Sequence, residues 1–216
     1  MKLTTNLKAL AAAAVLAIPA MAPTTANAEF GYNAAVSSMY LFRGTDASNG
    51  PAVSGGADYS HASGAYASVW ASSGIGSNET DGGGYEFDAW LGYAGEVSGF
   101  SYDLSYWSID YPQSYGAEAA TETALGLGYM DVSLGLVSGD GYTYTTLGYA
   151  IGDVSFTYGM NATDAVGGDT SHFDVSFAAS NELTLTMSFP NDDDAATGDP
   201  ALASLFVVSY SLPISK

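Results

Sequence analysis

The chain has 216 residues, 23 of them acidic against four basic, and a formal net charge of −19. That balance excludes nucleic acid as a partner, because phosphate recognition needs basic patches. The absence of cysteine excludes disulfide staples and a lipoprotein anchor, and 16 Tyr, 9 Phe and 3 Trp exclude the aromatic-poor composition of an acidic disordered chain.

Residues 1–28 read as a secretory signal peptide. Lys2 and Lys8 make a basic start, Ala9 to Ala22 an apolar run broken by Pro19, and Ala26-Asn27-Ala28 a small-x-small cleavage signal. The apolar run is shorter than the ~20 residues of a spanning helix. Its removal leaves Arg43 and the terminal Lys216 as the only basic residues. No Pro-rich or Ser-rich linker divides the remainder, so 29–216 is expected to form one domain.

Beyond the signal, the pattern is period two rather than helical. Candidate strands fall at 30–43, 51–60, 65–73, 85–94, 100–108 and 119–129, then 132–138, 142–151, 154–160, 172–179, 182–189 and 202–212. In 85–94, Tyr85, Phe87, Ala89, Leu91 and Tyr93 alternate with Glu86, Asp88, Trp90 and Gly92. In 172–179, Phe173, Val175 and Phe177 alternate with His172, Asp174 and Ser176. Each such segment has one apolar and one polar face, because strand side chains point alternately to opposite sides.

The spacers alternate too. Those after the even-numbered candidates are short: 61–64, 95–99, 130–131, 152–153 and 180–181. Those after the odd-numbered ones are long: 44–50, 74–84, 109–118, 160–171 and 190–201; only 139–141 breaks the pattern. A transmembrane antiparallel up-and-down β-barrel predicts this, with tight turns at the periplasmic end and loops at the outer end. Lipid offers backbone groups no hydrogen bonds, so a sheet there must close on itself. A soluble secreted sandwich or lectin has no reason to collect its long loops at one end. Tyr85 and Tyr93, and Tyr102 and Tyr106, bracket apolar strand faces as interfacial girdles do. The last candidate ends at Leu212, with Pro213-Ile214-Ser215-Lys216 behind it, rather than on the aromatic residue that outer-membrane insertion machinery reads.

Two segments carry a family likeness. One is Ser38-Met39-Tyr40-Leu41-Phe42-Arg43-Gly44; the other is Gly64-Ala65-Tyr66-Ala67-Ser68-Val69-Trp70-Ala71-Ser72. Over about 34–73 the chain resembles the TorF porin family, proteobacterial conserved hypothetical proteins. The resemblance implies an outer-membrane barrel and a porin role; it says little about cargo.

Candidate lumen residues follow from the polar faces. Glu86, Asp88, Asp103, Glu122 and Asp174 should point into water, since an unpaired carboxylate is costly on the lipid side. Trp90 and Trp107 share their parity and are expected to narrow the lumen. Such a lining repels anions and concentrates cations. Arg43 is expected at the outer end of the first strand, clamped to Asp46 or Asp58. Asp192, Asp193, Asp194 and Asp199 could hold a divalent cation through oxygen ligands, but match no defined site. His61 reads as a turn residue. Ser171, His172 and Asp174 suggest a hydrolase, yet Ser171 and His172 lie on opposite faces of one strand and cannot form a nucleophile–base pair. No catalytic residue and no cofactor are therefore expected, and an outer-membrane lipase is set aside. The expected function is a passive, cation-preferring pore for small solutes in the bacterial outer membrane. The expected partners are lipid, lipopolysaccharide and the insertion machinery. The alternative is a filled, non-conducting barrel with a structural or adhesive role, since twelve strands falls between filled and open barrels.

Overall fold

The computed structural model describes residues 28–48, 50–76, 84–112, 119–164, 168–192 and 203–214. Residues 1–27 of the expected signal peptide lie outside the described residues, as do Asp193, Asp194, Asp199 and Lys216. Fourteen strands follow one another, with no helix among the described residues. They are β1 (Glu29–Ser37), β2 (Leu41–Phe42), β3 (Thr45–Asp46), β4 (Ala52–Ser60), β5 (Ala65–Ile75), β6 (Gly84–Val97) and β7 (Phe100–Asp110). Then come β8 (Ala120–Tyr129), β9 (Val132–Gly139), β10 (Tyr142–Ile151), β11 (Val154–Thr163), β12 (Thr170–Ala178), β13 (Leu183–Asp192) and β14 (Leu205–Ser211). Twelve of them form a closed antiparallel barrel, each beside its neighbour in sequence; β2 and β3 form a separate hairpin.

Closure is made at β1. It pairs with β4 along its length, from Glu29 opposite Ser60 to Ser37 opposite Ala52. On its other edge it pairs with β14, from Ala35 opposite Ser211 to Ser37 opposite Ser209. Backbone hydrogen bonds from Ser38 N to Val208 O (2.9 Å) and from Leu212 N to Ala34 O (2.8 Å) extend this seam.

Sidedness is the reverse of a water-soluble barrel. Leu91 is 64% exposed and Leu104 54%, and Phe87, Leu147 and Phe206 also project outward. Ser72, Ser105, Thr186 and Ser188 are buried on the inner face. The exposed rings include Tyr85, Tyr93, Tyr102 and Tyr106, the residues read from the sequence as girdles. Phe30 meets Tyr59, and Phe100 stacks on Tyr129, near the short-turn end. An apolar exterior around a polar interior is what a sheet needs in order to be solvated by lipid outside and water inside.

The first strand is shorter than its period-two pattern predicts. β1 ends at Ser37, and residues 38–48 turn inward instead of continuing along the wall. Met39, Tyr40 and Leu41 bury against the inner wall, where Leu41 packs on Val207 with Met39 and Leu205 alongside. Period two marks a strand's two faces, but does not say whether the strand belongs to the wall or to a hairpin inside it. Elsewhere the wall strands lie where predicted, with ends shifted by a few residues. The exceptional short spacer is a two-residue turn, Asp140-Gly141, between β9 and β10 at the long-loop end.

A carboxylate-lined lumen crossed by an inward hairpin

The inward hairpin turns at Arg43 and Gly44, with Leu41 opposite Asp46 and Phe42 opposite Thr45. Both turn residues have positive φ, 48° at Arg43 and 82° at Gly44. That is the signature of a type I′ turn, whose twist suits a two-residue hairpin but disfavours a long L side chain at its first position. Such strain persists only where the surroundings over-determine it. Here they do so from several strands. Arg43 Nη2 donates to Glu122 Oε1 on β8, in an ion pair with both side chains buried. The guanidinium lies 4.7 Å from the Phe42 ring centroid, 5.2 Å from Tyr142 and 4.8 Å from Tyr144. Gly44 rests directly on the His172 side chain of β12, leaving no room for a Cβ. On the opposite side, the Tyr40 hydroxyl donates to Glu86 Oε1 on β6 (2.9 Å).

The proposed clamp partners of Arg43 are thereby corrected. Asp46 instead accepts hydrogen bonds from Ser48 N (3.0 Å) and Ser48 Oγ (2.5 Å). Asp58 on β4 accepts one from Asn33 Nδ2 (3.3 Å). The inward fold carries Arg43 across the lumen, away from β4 and onto β8. The partner is 79 residues distant in sequence, beyond the reach of local spacing.

Glu86, Asp88, Asp103, Glu122 and Asp174 all face the interior and are buried. Asp103 accepts from the Tyr66 hydroxyl (2.7 Å and 2.9 Å to its two oxygens). Glu122 Oε1 also accepts from the Tyr142 hydroxyl (2.5 Å), while its Oε2 has no hydrogen-bond partner. Asp88 Oδ1 is likewise buried without a partner. Asp174 Oδ1 lies 3.0 Å from His172 Nδ1, and His172 Nε2 lies 2.8 Å from the Tyr144 hydroxyl. His172 is thus engaged by a tyrosine and an aspartate, and Ser171, one residue before it in β12, is buried as well. Against these five carboxylates stands Arg43, the only Lys or Arg among the described residues.

Trp90 and Trp107 stack with centroids 4.0 Å apart and planes at 9°. With Ala124, Val137 and Tyr144 they form an apolar cluster inside the barrel. The Trp107 indole donates to Ser105 Oγ (2.8 Å).

Cavities remain beside the hairpin. One of about 340 Å³ lies toward the long-loop end and is lined by Phe42, Arg43, Tyr111, Glu122, Tyr142 and Thr170, among others. Another of about 450 Å³ follows β1, β4, β5 and β14, with Tyr40, Trp70 and a row of serines in its wall. Two tyrosines outside the wall strands, Tyr40 and Tyr111, have hydroxyls pushed above the ordinary value, first by burial and then by the negative charge of Glu86 and its neighbours. They therefore remain protonated donors at neutral pH.

Tyr40, Tyr142 and Tyr144 did not stand out in the sequence, because a lumen tyrosine and a girdle tyrosine differ only in parity. Parity alone places Tyr142 and Tyr144 inward with Thr146 and Gly148. The acidic loop residues Asp193, Asp194 and Asp199 lie outside the described residues, and Asp192 is placed only as the last backbone position of β13. His61 occupies the exposed turn between β4 and β5, its Nδ1 2.9 Å from Ser63 Oγ.

A closed antiparallel barrel of twelve strands, polar within and apolar without, has the architecture of a transmembrane β-barrel. More particularly, residues 21–189 match the Gcw_chp family, described as a bacterial protein of unknown function, and the chain belongs to that family. No curated protein sequence matches it. Among solved structures, the KdgM porin in complex with disordered oligogalacturonate is similar, with a TM-score of 0.53 at 10% identity, covering 87% of this chain and 100% of that one. The outer membrane phospholipase A from Escherichia coli reaches a TM-score of 0.47 at 12% identity, covering 86% of this chain and 95% of that one. At these identities the likeness concerns the fold alone.

Proposed function

We propose that the chain is an exported outer-membrane channel that passes small solutes by diffusion, with a preference for cations. The observation that carries this reading is the acidic lining of the lumen: five buried inward carboxylates against the single Arg43 among the described residues. A narrow passage of that sign repels anions and raises the local concentration of cations. The signal-like residues 1–28, the resemblance to the TorF porins and the porin-like barrel support export and an outer-membrane location, with lipid, lipopolysaccharide and the insertion machinery as surroundings. The cargo of the KdgM complex is not carried over. An oligogalacturonate is a polyanion, and this lumen has the opposite preference.

One observation favours a second reading, a non-conducting barrel with a structural or adhesive role. The hairpin at 40–44 and the Trp90–Trp107 stack fill part of the barrel interior. Planar-bilayer recording of the refolded protein separates the two. Stable current steps support the channel; heat-modifiable, stably inserted protein without current moves the assignment to the filled barrel.

A further inference from the structure

We infer that the inner wall formed by Glu122, Tyr142 and Tyr144 is a binding site for a small guanidinium-bearing or alkylammonium solute, and that Arg43 is its built-in occupant. The wall residues supply what such a cation requires. Glu122 gives a buried carboxylate, and the two tyrosines give ring faces at 5.2 Å and 4.8 Å from the guanidinium carbon. Ring faces attract cations through their quadrupole, more strongly where water is excluded. The carboxylate is incompletely used: Oε1 takes both Arg43 and Tyr142, and Oε2 is buried with no partner. Arg43 Nε is also buried and unpartnered, so the internal cation does not fully satisfy the site it fills.

Access exists beside the occupant. The cavity of about 340 Å³ at the long-loop end has Arg43, Glu122 and Tyr142 in its wall, so a small solute can come up against these three, while Tyr144 lies behind Arg43 and is opened only when Arg43 is removed or displaced. Arg43 is delivered by a turn in which it holds a φ of 48°, a conformation a long side chain adopts only when held there. Competition for the site thus opposes a free solute to a tethered, strained competitor. A tethered group acts at an effective concentration on the order of millimolar, so the empty site should bind solute far more tightly than the occupied one. Binding stands apart from conduction. The further consequence, that an entering cation displaces Arg43 and loosens the hairpin, rests on the channel reading.

The test is calorimetric titration of methylguanidinium into Arg43→Ala protein refolded in detergent, with methylurea as a neutral probe of the same shape. We expect saturable one-to-one binding at least about tenfold tighter than to wild type, no binding of methylurea, and loss of about tenfold or more when Glu122→Gln is added. Heat-modifiable migration checks that each variant is folded; should Arg43→Ala not refold, Arg43→Gln keeps a polar but shorter, uncharged side chain and carries the same expectation. Absence of saturable binding in the folded variant, equal affinity for methylurea, or indifference to Glu122→Gln would overturn the inference and leave Arg43 a structural clamp. Channel currents recorded on the same preparations report separately. Binding without current sinks the channel reading alone, and current without binding sinks the site alone.

Discussion

Gly44→Ala places a methyl group where the His172 side chain already lies, at a position whose φ is 82°. An L residue in that backbone region costs roughly 1–2 kcal/mol. Forcing a methyl into a filled space adds roughly 1–3 kcal/mol. Together they set about 2–5 kcal/mol against the inward position of the hairpin, and the lower bound alone shifts its in–out equilibrium by about thirtyfold. The barrel wall should not share this loss, because its ladder runs from β1 round to β14 without using residues 38–48 as a wall strand. The expected phenotype is a barrel that keeps its heat-modifiable migration and passes a larger current than wild type in a planar bilayer. Wild-type conductance from a correctly folded Gly44→Ala protein would refute the argument that the Gly44–His172 contact holds the hairpin across the lumen.

Three further outcomes follow from the same geometry. Trp90→Ala removes one ring of the stacked pair inside the lumen, and should admit larger neutral polymers in a size-exclusion conductance assay. Leu91→Arg, one residue along and 64% exposed on the outer face near the middle of β6, should destabilise the barrel by about 2–4 kcal/mol in urea unfolding from lipid vesicles. A loss below about 1 kcal/mol would argue that this face does not meet hydrocarbon. Glu86→Gln with Asp88→Asn removes two of the five buried lumen carboxylates while keeping side-chain size, and should move the reversal potential toward zero under a salt gradient.

The wall was legible in the sequence for a definite reason. A barrel strand must alternate between lipid and lumen, so Phe87, Leu91 and Tyr93 against Glu86, Asp88 and Trp90 fix both the strand and its sidedness. The long and short spacers then gave the two ends. Parity also placed Asp103, Glu122 and Asp174 on the inner face, where the structure has them. What local patterning could not supply is the opposite side of the lumen. Met39 to Phe42 is a continuous apolar run at the end of the first candidate strand, yet its side chains turn inside to meet Val207, Leu205, Trp70 and Tyr111. Arg43 was legible as an isolated cation needing an acid, but the choice among acids depends on a hairpin crossing the barrel rather than on spacing along the chain. The roles of Tyr142 and Tyr144 depend on the same crossing.

We propose that the acidic lumen gives this barrel its preference for cations. Its most direct test is the reversal potential of wild-type protein in a planar bilayer under a KCl gradient. Stable current steps are expected, with a reversal potential of the sign of potassium selectivity. Anion selectivity, or stable insertion with no current at all, would contradict it.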